Sequence, residues 1–271
     1  MKILLTGEPR IGKTTILENF LGLIKDKQGF VTREVRDNGE RTGFKLVSSD
    51  GQTAVLASVD SNSEFRVSKY GVNIEEFERF IKNLPLVQSQ NLLYIDEIGQ
   101  MELLADSFKK VVTYYLNSDN HYVGTISSVY SDDFTKQILS RYDLVHIKLT
   151  YESREQVVAA LEGLAENISL IQNLDAGAQD ELTKMARMYV ENLGFVQLKK
   201  LFKNAVKYVV EGRVSQMANC YVVKGNTKKH KVDVSDNYSC DCSLFNGKGE
   251  YTGNAGECSH IQAVKLYNAS V

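Results

Sequence analysis

A glycine-rich segment near the N-terminus has the residue types and the spacing of a phosphate-binding loop. Residues 7–14 read Gly-Glu-Pro-Arg-Ile-Gly-Lys-Thr, which fits the pattern G-x-x-x-x-G-K-[ST], and a second threonine follows. In such a loop the backbone N–H groups point inward at anionic oxygens, and the helix that begins there adds positive partial charge. We therefore predict that the phosphates of a nucleotide contact Gly7, Glu8, Pro9, Arg10, Ile11, Gly12, Lys13, Thr14 and Thr15.

Two carboxylates at the end of a later apolar segment supply the second half of this chemistry. Residues 92–95 read as a buried strand, and Asp96 and Glu97 follow it directly. Lys13 would reach the β- and γ-phosphates, and Thr14 and Asp96 would hold Mg²⁺, with Asp96 acting through water. Glu97 would polarise the attacking water as a general base, so Lys13 and Glu97 are the predicted catalytic residues. The alternative is that the two carboxylates only cap a strand.

The four cysteines are confined to the C-terminal part of the chain, and the first 219 residues contain none. Cys240 and Cys242 flank one aspartate, and Cys258-Ser259-His260 follows after fifteen residues. Three thiolates and one imidazole form a closed tetrahedral ligand set, so we predict a Zn²⁺ site at Cys240, Cys242, Cys258 and His260. Such clustering is typical of a metal site in a reducing compartment and not of a disulfide framework. Unliganded cysteines in a small core are the alternative.

Four other residues of metal-binding type lie outside these patterns, and we expect all four to be structural. Cys220 and His230 fall outside the spacing of the predicted zinc ligands. His121 and His146 lie on predicted strands and have no carboxylate or cysteine beside them in the sequence.

The order of apolar segments predicts an α/β fold. Strand-like runs alternate with amphipathic helix patterns in residues 1–165, which favours a mostly parallel sheet with helices on both faces. The predicted strands are 2–5, 29–36, 43–47, 53–57, 92–95, 121–127 and 144–149, and the predicted helices begin near residues 14, 74, 103, 134 and 153. Strands 29–36, 43–47 and 53–57 are separated by turn signals and would form an antiparallel flap beside the loop. Arg33, Arg36 and Arg41 on this flap could contact phosphate or form a solvated strand face.

The C-terminal part of the chain has its own pattern. Two helices in residues 175–210, the first stopped by Gly194, would connect to a β-hairpin that turns at Gly225-Asn226. Lys199, Lys200, Lys203 and Lys207 lie off the apolar stripe of the second helix, either as a solvated face or as a track for nucleic-acid phosphates. A last helix opens at residues 258–260, and residues 246–256 would form an exposed loop.

Composition and charge limit the class of protein. The 271 residues are 43% hydrophobic and 24% charged, as in an ordinary globular protein, and no apolar run approaches the roughly 20 residues of a membrane span. Thr6-Gly7 interrupts the N-terminal apolar run, so we expect no signal peptide and a cytoplasmic location. Residues 196–271 carry 11 Lys/Arg and 6 Asp/Glu, whereas the whole chain has a net charge of −2. This asymmetry suggests two units with different partners and is compatible with a nucleic-acid surface.

Residues 1–165 resemble the small nucleoside-triphosphatase family of thermophiles, relatives of the cancer-related nucleoside-triphosphatase of animals. The resemblance rests on the loop, on GFVTREVRDNGERTGF at 29–44, on Lys69-Tyr70-Gly71-Val72 and on DEIGQMEL at 96–103. It implies a variant RecA-like phosphate-loop domain that hydrolyses several NTPs with Mg²⁺. Arg10 stands where the family usually has glycine, and Ser153-Arg154 replaces its usual Asn-Arg.

Residues 211–268 resemble the SWIM-type zinc finger, a small module linked to DNA and protein binding. The resemblance rests on the C-x-C…C-x-H spacing, the hairpin before it and the helix after it. The predicted domains are therefore a phosphate-loop NTPase at 1–165, a helical connector at 166–210 and a zinc-binding module at 211–271.

Three functions remain open from the sequence. The first is an NTPase whose zinc finger tethers it to nucleic acid or protein. The second is a nucleotide-gated regulator with little turnover, and the third is a nucleotide kinase, although no acceptor-site signature is evident. No membrane partner is expected.

Overall fold

The computed structural model describes residues 1–234, 238–242 and 257–270, which form two compact units, Met1–Tyr151 and Glu152–Val271. The predicted domain boundary at 165/166 falls inside a helix of the second unit, Arg154–Gln172. The division of the chain into an NTPase domain, a connector and a zinc-binding module stays a prediction. Among the described residues, no helix combines the length and the apolar character needed to cross a bilayer.

A single mixed sheet forms the centre of the first unit. Its strands are β1 (Lys2–Gly7), β2 (Lys27–Asp37), β3 (Glu40–Ser48), β4 (Thr53–Ser58), β5 (Arg66–Val67), β6 (Tyr70–Val72), β7 (Leu92–Ile98), β8 (Tyr122–Ile126) and β9 (Leu144–Leu149). Its helices are α1 (Lys13–Gly22), α2 (Ile74–Lys82), α3 (Asp106–Asn117) and α4 (Asp133–Leu139), with a 3-10 turn at Glu102–Leu104.

The strand order is β5-β6-β4-β3-β2-β7-β8-β1-β9. Read in this spatial order, parallel pairs join β2, β7, β8, β1 and β9. Antiparallel pairs join β2, β3, β4, β6 and β5. The predicted α/β class with a mostly parallel sheet and helices is confirmed. The expected antiparallel flap corresponds to β2, β3 and β4, and it is continuous with the parallel strands because residues 27–31 of β2 also pair with β7.

Burial explains why the parallel strands read as continuous apolar runs. Every residue of β1 and β8 is buried, since both lie inside the sheet. Phe30 on β2 packs against Phe80 on α2 and Phe108 on α3, with ring centroids 5.4 and 6.1 Å apart. Edge-on aromatic contacts of this kind add about 0.5–1.5 kcal/mol beyond area burial. This core holds the carboxyl ends of β1, β7 and β8 rigidly beside one another.

The second unit combines helices with a small antiparallel sheet. Its helices are α5 (Arg154–Gln172), α6 (Ala176–Met188), α7 (Phe195–Lys200), α8 (Val206–Val210) and α9 (Ser259–Ala269), with π-helical segments at Tyr189–Leu193 and Leu201–Ala205. Its strands are β10 (Val214–Gln216), β11 (Tyr221–Lys224), β12 (Lys229–Asp233) and β13 (Ser239–Cys240), paired in that order. The predicted hairpin corresponds to β11 and β12, and Gly225 N–H donates to the carbonyl of Lys228 at 2.9 Å.

Helix ends in the second unit follow the sequence in part. Asp175 accepts a hydrogen bond from the backbone N–H of Ala178 at 2.9 Å and caps α6. Gly194 has φ 83° and ends the π-helical segment after α6, as predicted. Ser153 precedes α5, close to the predicted start of a helix, and its side chain makes no capping hydrogen bond. The expected loop at 246–256 lies outside the described residues.

The predicted connector and zinc module share a core within the second unit. Helix α9 packs against α6, α8 and the π-helical segment at Leu201–Ala205, and α5 packs against α7. The buried apolar residues of this core include Leu198, Leu201, Phe202, Val206, Ile261, Val264 and Leu266. Each such side chain contributes about 1.5–3 kcal/mol when fully buried. Residues 195–210 therefore pack within the second unit together with α9.

Candidate nucleotide site and candidate metal centre

The predicted phosphate-binding loop joins β1 to α1 at the carboxyl edge of the parallel strands. Gly12 precedes α1 with φ 100°, a conformation that glycine adopts without steric cost. Arg10, which replaces the family's usual glycine, also has a positive φ of 68°. An L-residue in this region pays about 1–2 kcal/mol, so the substitution carries a backbone cost in this loop.

Lys13 is folded back onto the loop. Its ammonium donates to the carbonyl oxygens of Gly7 and Glu8 at 3.1 and 3.4 Å, and only 8% of the residue is exposed. Ser128, beyond the end of β8, also donates to the Gly7 carbonyl, at 2.7 Å. The lysine lies at the wall of a cavity of about 1030 Å³ and can exchange these carbonyls for phosphate oxygens.

Asp96 is the most buried carboxylate of the predicted set, with 1% of the residue exposed. Thr125 on the neighbouring strand β8 donates its hydroxyl to Asp96 at 2.5 Å. Burial raises the pKa of Asp96, and hydrogen bonds from the side chains of Thr125 and Thr14 oppose that rise. Thr14 and Asp96, the two predicted Mg²⁺ ligands, are thus brought together. A hard cation takes oxygen ligands of these kinds, so the residues fit Mg²⁺.

Glu97 lies next to Asp96 and faces the same cavity. Burial raises the pKa of Glu97, Lys13 lowers it and the charge of Asp96 raises it further. A carboxyl whose pKa is moved towards neutrality is a stronger proton acceptor than an ordinary glutamate.

Sequence analysis assigned no role to Glu102, although the residue is part of the DEIGQMEL segment. Only 5% of Glu102 is exposed, and Thr32 on β2 donates its hydroxyl to Glu102 Oε1 at 3.1 Å. Burial raises the pKa of Glu102 to about 8, and the charges of Glu97 and Asp96 act in the same direction. Glu102 lines the cavity beside Glu97. Thr125 was likewise missed, and its only sequence signal was a threonine inside a buried strand.

The three arginines of the β2–β3 region are ion-paired. Arg33 contacts Glu18 at 2.9 Å, and Arg36 and Arg41 contact the two oxygens of Glu34 at 2.6 and 2.7 Å. Arg33 and Arg41 line the cavity, whereas Arg36 is not among its lining residues. Arg33 and Arg41 are therefore placed where a contact with phosphate is open to them, and the alternative of a solvated strand face stays open for all three.

Comparison with known proteins agrees with this geometry. Residues 2–161 match the family described as NTPase.

The chain belongs to the NTPase family.

Relatives of this NTPase family support the assignment. The nucleoside-triphosphatase THEP1 of Thermotoga sp. (strain RQ2) is 39% identical over 160 residues, which cover 58% of this chain and 91% of the relative. The crystal structure of THEP1 from the hyperthermophile Aquifex aeolicus is similar with a TM-score of 0.51 and 32% identity, over 58% of this chain and 95% of that chain. The solution structure of a human cancer-related nucleoside triphosphatase is similar with a TM-score of 0.50 and 27% identity, over 64% and 98%. The predicted resemblance to the small nucleoside-triphosphatase family is confirmed.

A second candidate site lies in the second unit, outside the NTPase-family match. The four predicted zinc ligands Cys240, Cys242, Cys258 and His260 are all buried, and their ligand atoms all lie within 4.8 Å of one another. Cys240 and Cys242 lie at and just after β13, and Cys258 and His260 lie at the start of α9. The SWIM resemblance itself stays a prediction.

The distances and the donor chemistry fit a tetrahedral ion. Cys240 Sγ and His260 Nδ1 are 3.7 Å apart, and two such ligands at ordinary zinc bond lengths are about 3.6 Å apart. The hydrogen bond between the two thiols lowers the pKa of Cys258, as His260 does, and raises the pKa of Cys240. The four residues lie close enough together to hold Zn²⁺.

His230 lies beside this cluster, while Cys220 is not part of it. The His230 ring stacks on His260 with centroids 4.1 Å apart, and His230 Nδ1 is 3.0 Å from Asp241 Oδ1. Tyr208 stacks on His260 as well, at 5.6 Å. His230 also belongs to a group with Cys240 and Asp241 that could hold a metal ion, so the structural role expected for it stays a prediction.

Proposed function

We propose that this chain hydrolyses nucleoside 5'-triphosphates to diphosphates and phosphate with Mg²⁺ as the metal. The observation that carries the proposal is the convergence of Lys13, Thr14, Asp96 and Glu97 on one cavity in a member of the NTPase family. The relatives from Thermotoga sp. and Aquifex aeolicus are nucleoside-triphosphatases, which supports hydrolysis of nucleoside triphosphates as the reaction.

Each residue has a defined task in this proposal. Lys13 leaves the Gly7 carbonyl and neutralises charge on the β- and γ-phosphates. Glu97 takes the proton of the attacking water as the water oxygen bonds to the γ-phosphorus and the bond to the bridging oxygen breaks. Thr14 and Asp96 would hold Mg²⁺, and the chemistry that the metal supplies when bound is neutralisation of the phosphate oxygens.

The test is phosphate release from ATP, GTP, CTP and UTP, with Mg²⁺ and with EDTA. We expect turnover of several nucleotides with Mg²⁺ and none with EDTA. Tight nucleotide binding with turnover near zero would instead identify a nucleotide-gated regulator. Diphosphate formation only in the presence of a nucleotide acceptor would identify a kinase.

We further propose that residues 211–271 are a zinc finger that tethers residues 1–165 to nucleic acid or to a protein. The four ligands and the excess of Lys/Arg in residues 196–271 support this proposal. Lys228, Lys229 and Lys231 are exposed on the β11–β12 hairpin and are the candidate contacts. Lys203 forms an ion pair with Glu166, and Lys207 forms one with Glu211. These pairs favour a solvated face over a track for nucleic-acid phosphates at the lysines of residues 199–207.

Binding to labelled single- and double-stranded DNA and RNA over a range of salt tests the partner. Phosphate contacts should weaken steeply with salt, because each neutralised phosphate releases a counterion. Replacing Lys228, Lys229 and Lys231 by glutamine should reduce the salt slope by about 3. Replacing Lys25, Lys45 and Lys82 in the first unit is the control with the same change in charge. Absence of binding to every nucleic acid tested would leave a protein as the partner.

A further inference from the structure

Glu102 is a buried carboxyl at the nucleotide cavity that the proposed hydrolysis does not use. It lies in the 3-10 turn after β7, five residues beyond Glu97 in the chain. The Glu102 carboxyl accepts a hydrogen bond from the Thr32 hydroxyl at Oε1 and one from its own backbone N–H. No ion pair with Glu102 occurs in the described part of the chain. A carboxyl in such a place is expected to keep its proton, because an unpaired buried charge is costly.

The second oxygen of Glu102 is directed to the space above Gly99. A Cβ built on Gly99 would lie 2.9 Å from Glu102 Oε2 and 3.8 Å from Glu97 Oε1. The two carboxyl oxygens that face this space are therefore no more than about 6.7 Å apart, and any separation up to about 5 Å allows one bridging water. Glycine at position 99 leaves this space open.

We propose that Glu102 is a positioning residue of the hydrolytic site, whose uncharged carboxyl donates a hydrogen bond to Glu97, directly or through one water, and orients that base. The proposal rests on the proposed NTP hydrolysis. Thr32 donates to Oε1, so Oε2, the oxygen that faces Glu97, is the one that can carry the proton. An ionised Glu102 would lose this donor and add a third negative charge beside Asp96, Glu97 and the phosphates.

The charged surroundings of Glu102 agree with this role. Glu97 and Asp96 on β7 raise the pKa of Glu102, which burial has already brought to about 8. The cations that line the same cavity are Arg10, Lys13, Arg33 and Arg41, and its other carboxylates are Glu18 and Glu34. Arg33 is paired with Glu18, Arg41 with Glu34 and Lys13 with loop carbonyls.

The test compares the pH dependence of kcat and KM for Mg·ATP in the full chain with Glu102→Gln and Glu102→Ala. Glu102→Ala should lower kcat by about 10–100-fold with little change in KM, because orientation of the base is lost and nucleotide binding is not. Glu102→Gln keeps an uncharged donor and should restore much of kcat. The wild-type rate should fall as the pH rises through about 8, and Glu102→Gln should not show this fall.

Gly99→Ala tests the position of the carboxyl with Glu97 and Glu102 both intact. Its methyl group would displace Glu102 Oε2, so kcat should fall by about 10-fold or more with KM preserved. Gly22→Ala is the matched control, since a Cβ there meets nothing within 4 Å.

The outcomes separate the two proposals. An active wild-type chain for which Glu102→Gln is as slow as Glu102→Ala, or keeps the alkaline fall, overturns the role of Glu102 alone. Wild-type kcat in Gly99→Ala overturns it as well. A wild-type chain that releases no phosphate from any nucleotide overturns the proposed hydrolysis, and the role of Glu102 falls with it.

Discussion

Thr125 on β8 donates its hydroxyl to Asp96 on β7 at an Oγ1–Oδ1 distance of 2.5 Å, and both residues are buried. The bond lies where the parallel register between the two strands shifts, after Ile95 pairs with Gly124. The two strands pair again at Ile98 and Ile126, so Asp96 and Glu97 lie in a local irregularity of the ladder, where the threonine bonds the carboxylate. Because Thr14 also bonds Asp96, one carboxylate links β7, β8 and the phosphate loop.

Replacing Thr125 by valine should shift the acid side of the pH–rate profile to higher pH. The hydrogen bond favours ionised Asp96 and lowers its pKa, so its loss allows protonation at higher pH and loss of the metal ligand. A bond to a charged group contributes about 1.5–3 kcal/mol, which corresponds to a shift of about 1–2 pH units. Hydrolysis rates between pH 5 and 8 measure it. Thr113→Val, which removes an exposed hydroxyl on α3, should leave the profile in place.

Replacing Lys13 by alanine should lower kcat by at least about 100-fold. Preorganised charge at the transferring phosphoryl group stabilises the transition state by several kcal/mol. Lys82→Ala, at an exposed position on α2, is the matched control. Steady-state phosphate release measures both. A Lys13→Ala chain with the wild-type rate would remove the loop lysine from the mechanism.

The two adjacent carboxylates should give different defects. Glu97→Gln keeps the shape of the side chain but loses the base, so it should bind Mg·NTP and turn over slowly. Asp96→Asn should in addition raise the Mg²⁺ concentration needed for half-maximal rate, since it weakens a metal ligand. Nucleotide binding by fluorescence, measured beside turnover over a Mg²⁺ series, distinguishes them. Normal turnover by Glu97→Gln would mean that another group activates the water.

Glu102 should make the folded chain less stable as the pH rises from about 4.5 to 8. Burial raises its pKa from 4.5 to about 8, so the folded chain keeps a proton that the unfolded chain loses in this range. The free energy of unfolding therefore falls with rising pH. The Glu102→Gln side chain does not titrate, so this variant should not lose stability in this way. Denaturant unfolding at pH 5 and pH 8 should show the variant gaining stability relative to wild type. Glu78→Gln on the exposed side of α2 is the control, and equal behaviour of the two variants would contradict the prediction.

The second unit should carry one zinc ion per chain. Structural zinc contributes about 10–16 kcal/mol of apparent binding energy near pH 7, and much of it becomes folding energy. Chelation should therefore destabilise the second unit, including α6 and α8, which pack on α9, and leave NTP hydrolysis largely intact. Metal analysis measures the zinc content, and circular dichroism measures the loss of structure on chelation. Cys258→Ser should lose the metal and Cys220→Ser, outside the cluster, should keep it; zinc-free protein purified without chelator would contradict the site.

The α/β class, the position of the phosphate loop and most elements could be predicted from local sequence. Residues 144–149 read as an apolar strand and form β9, and the turn at Gly225-Asn226 joins β11 to β12. Loop, strand and turn signals depend on neighbouring residues, through backbone sterics and hydrophobic periodicity. The same signals also gave the NTPase-family resemblance, since its motifs are contiguous.

Contacts between residues on different strands could be identified only from the tertiary structure. Thr125 lies 29 residues from Asp96 and Glu102 lies 70 residues from Thr32, and nothing local in the sequence pairs them. The antiparallel strands β2, β3 and β4 join the parallel strands because β2 also pairs with β7, which local sequence does not specify. Helix α9 packs against α8 and the π-helical segment at Leu201–Ala205, which lie far from it in the chain. Strand order and burial determine which side chains lose water, and that loss raises the pKa of Glu102 and of both catalytic-site carboxylates.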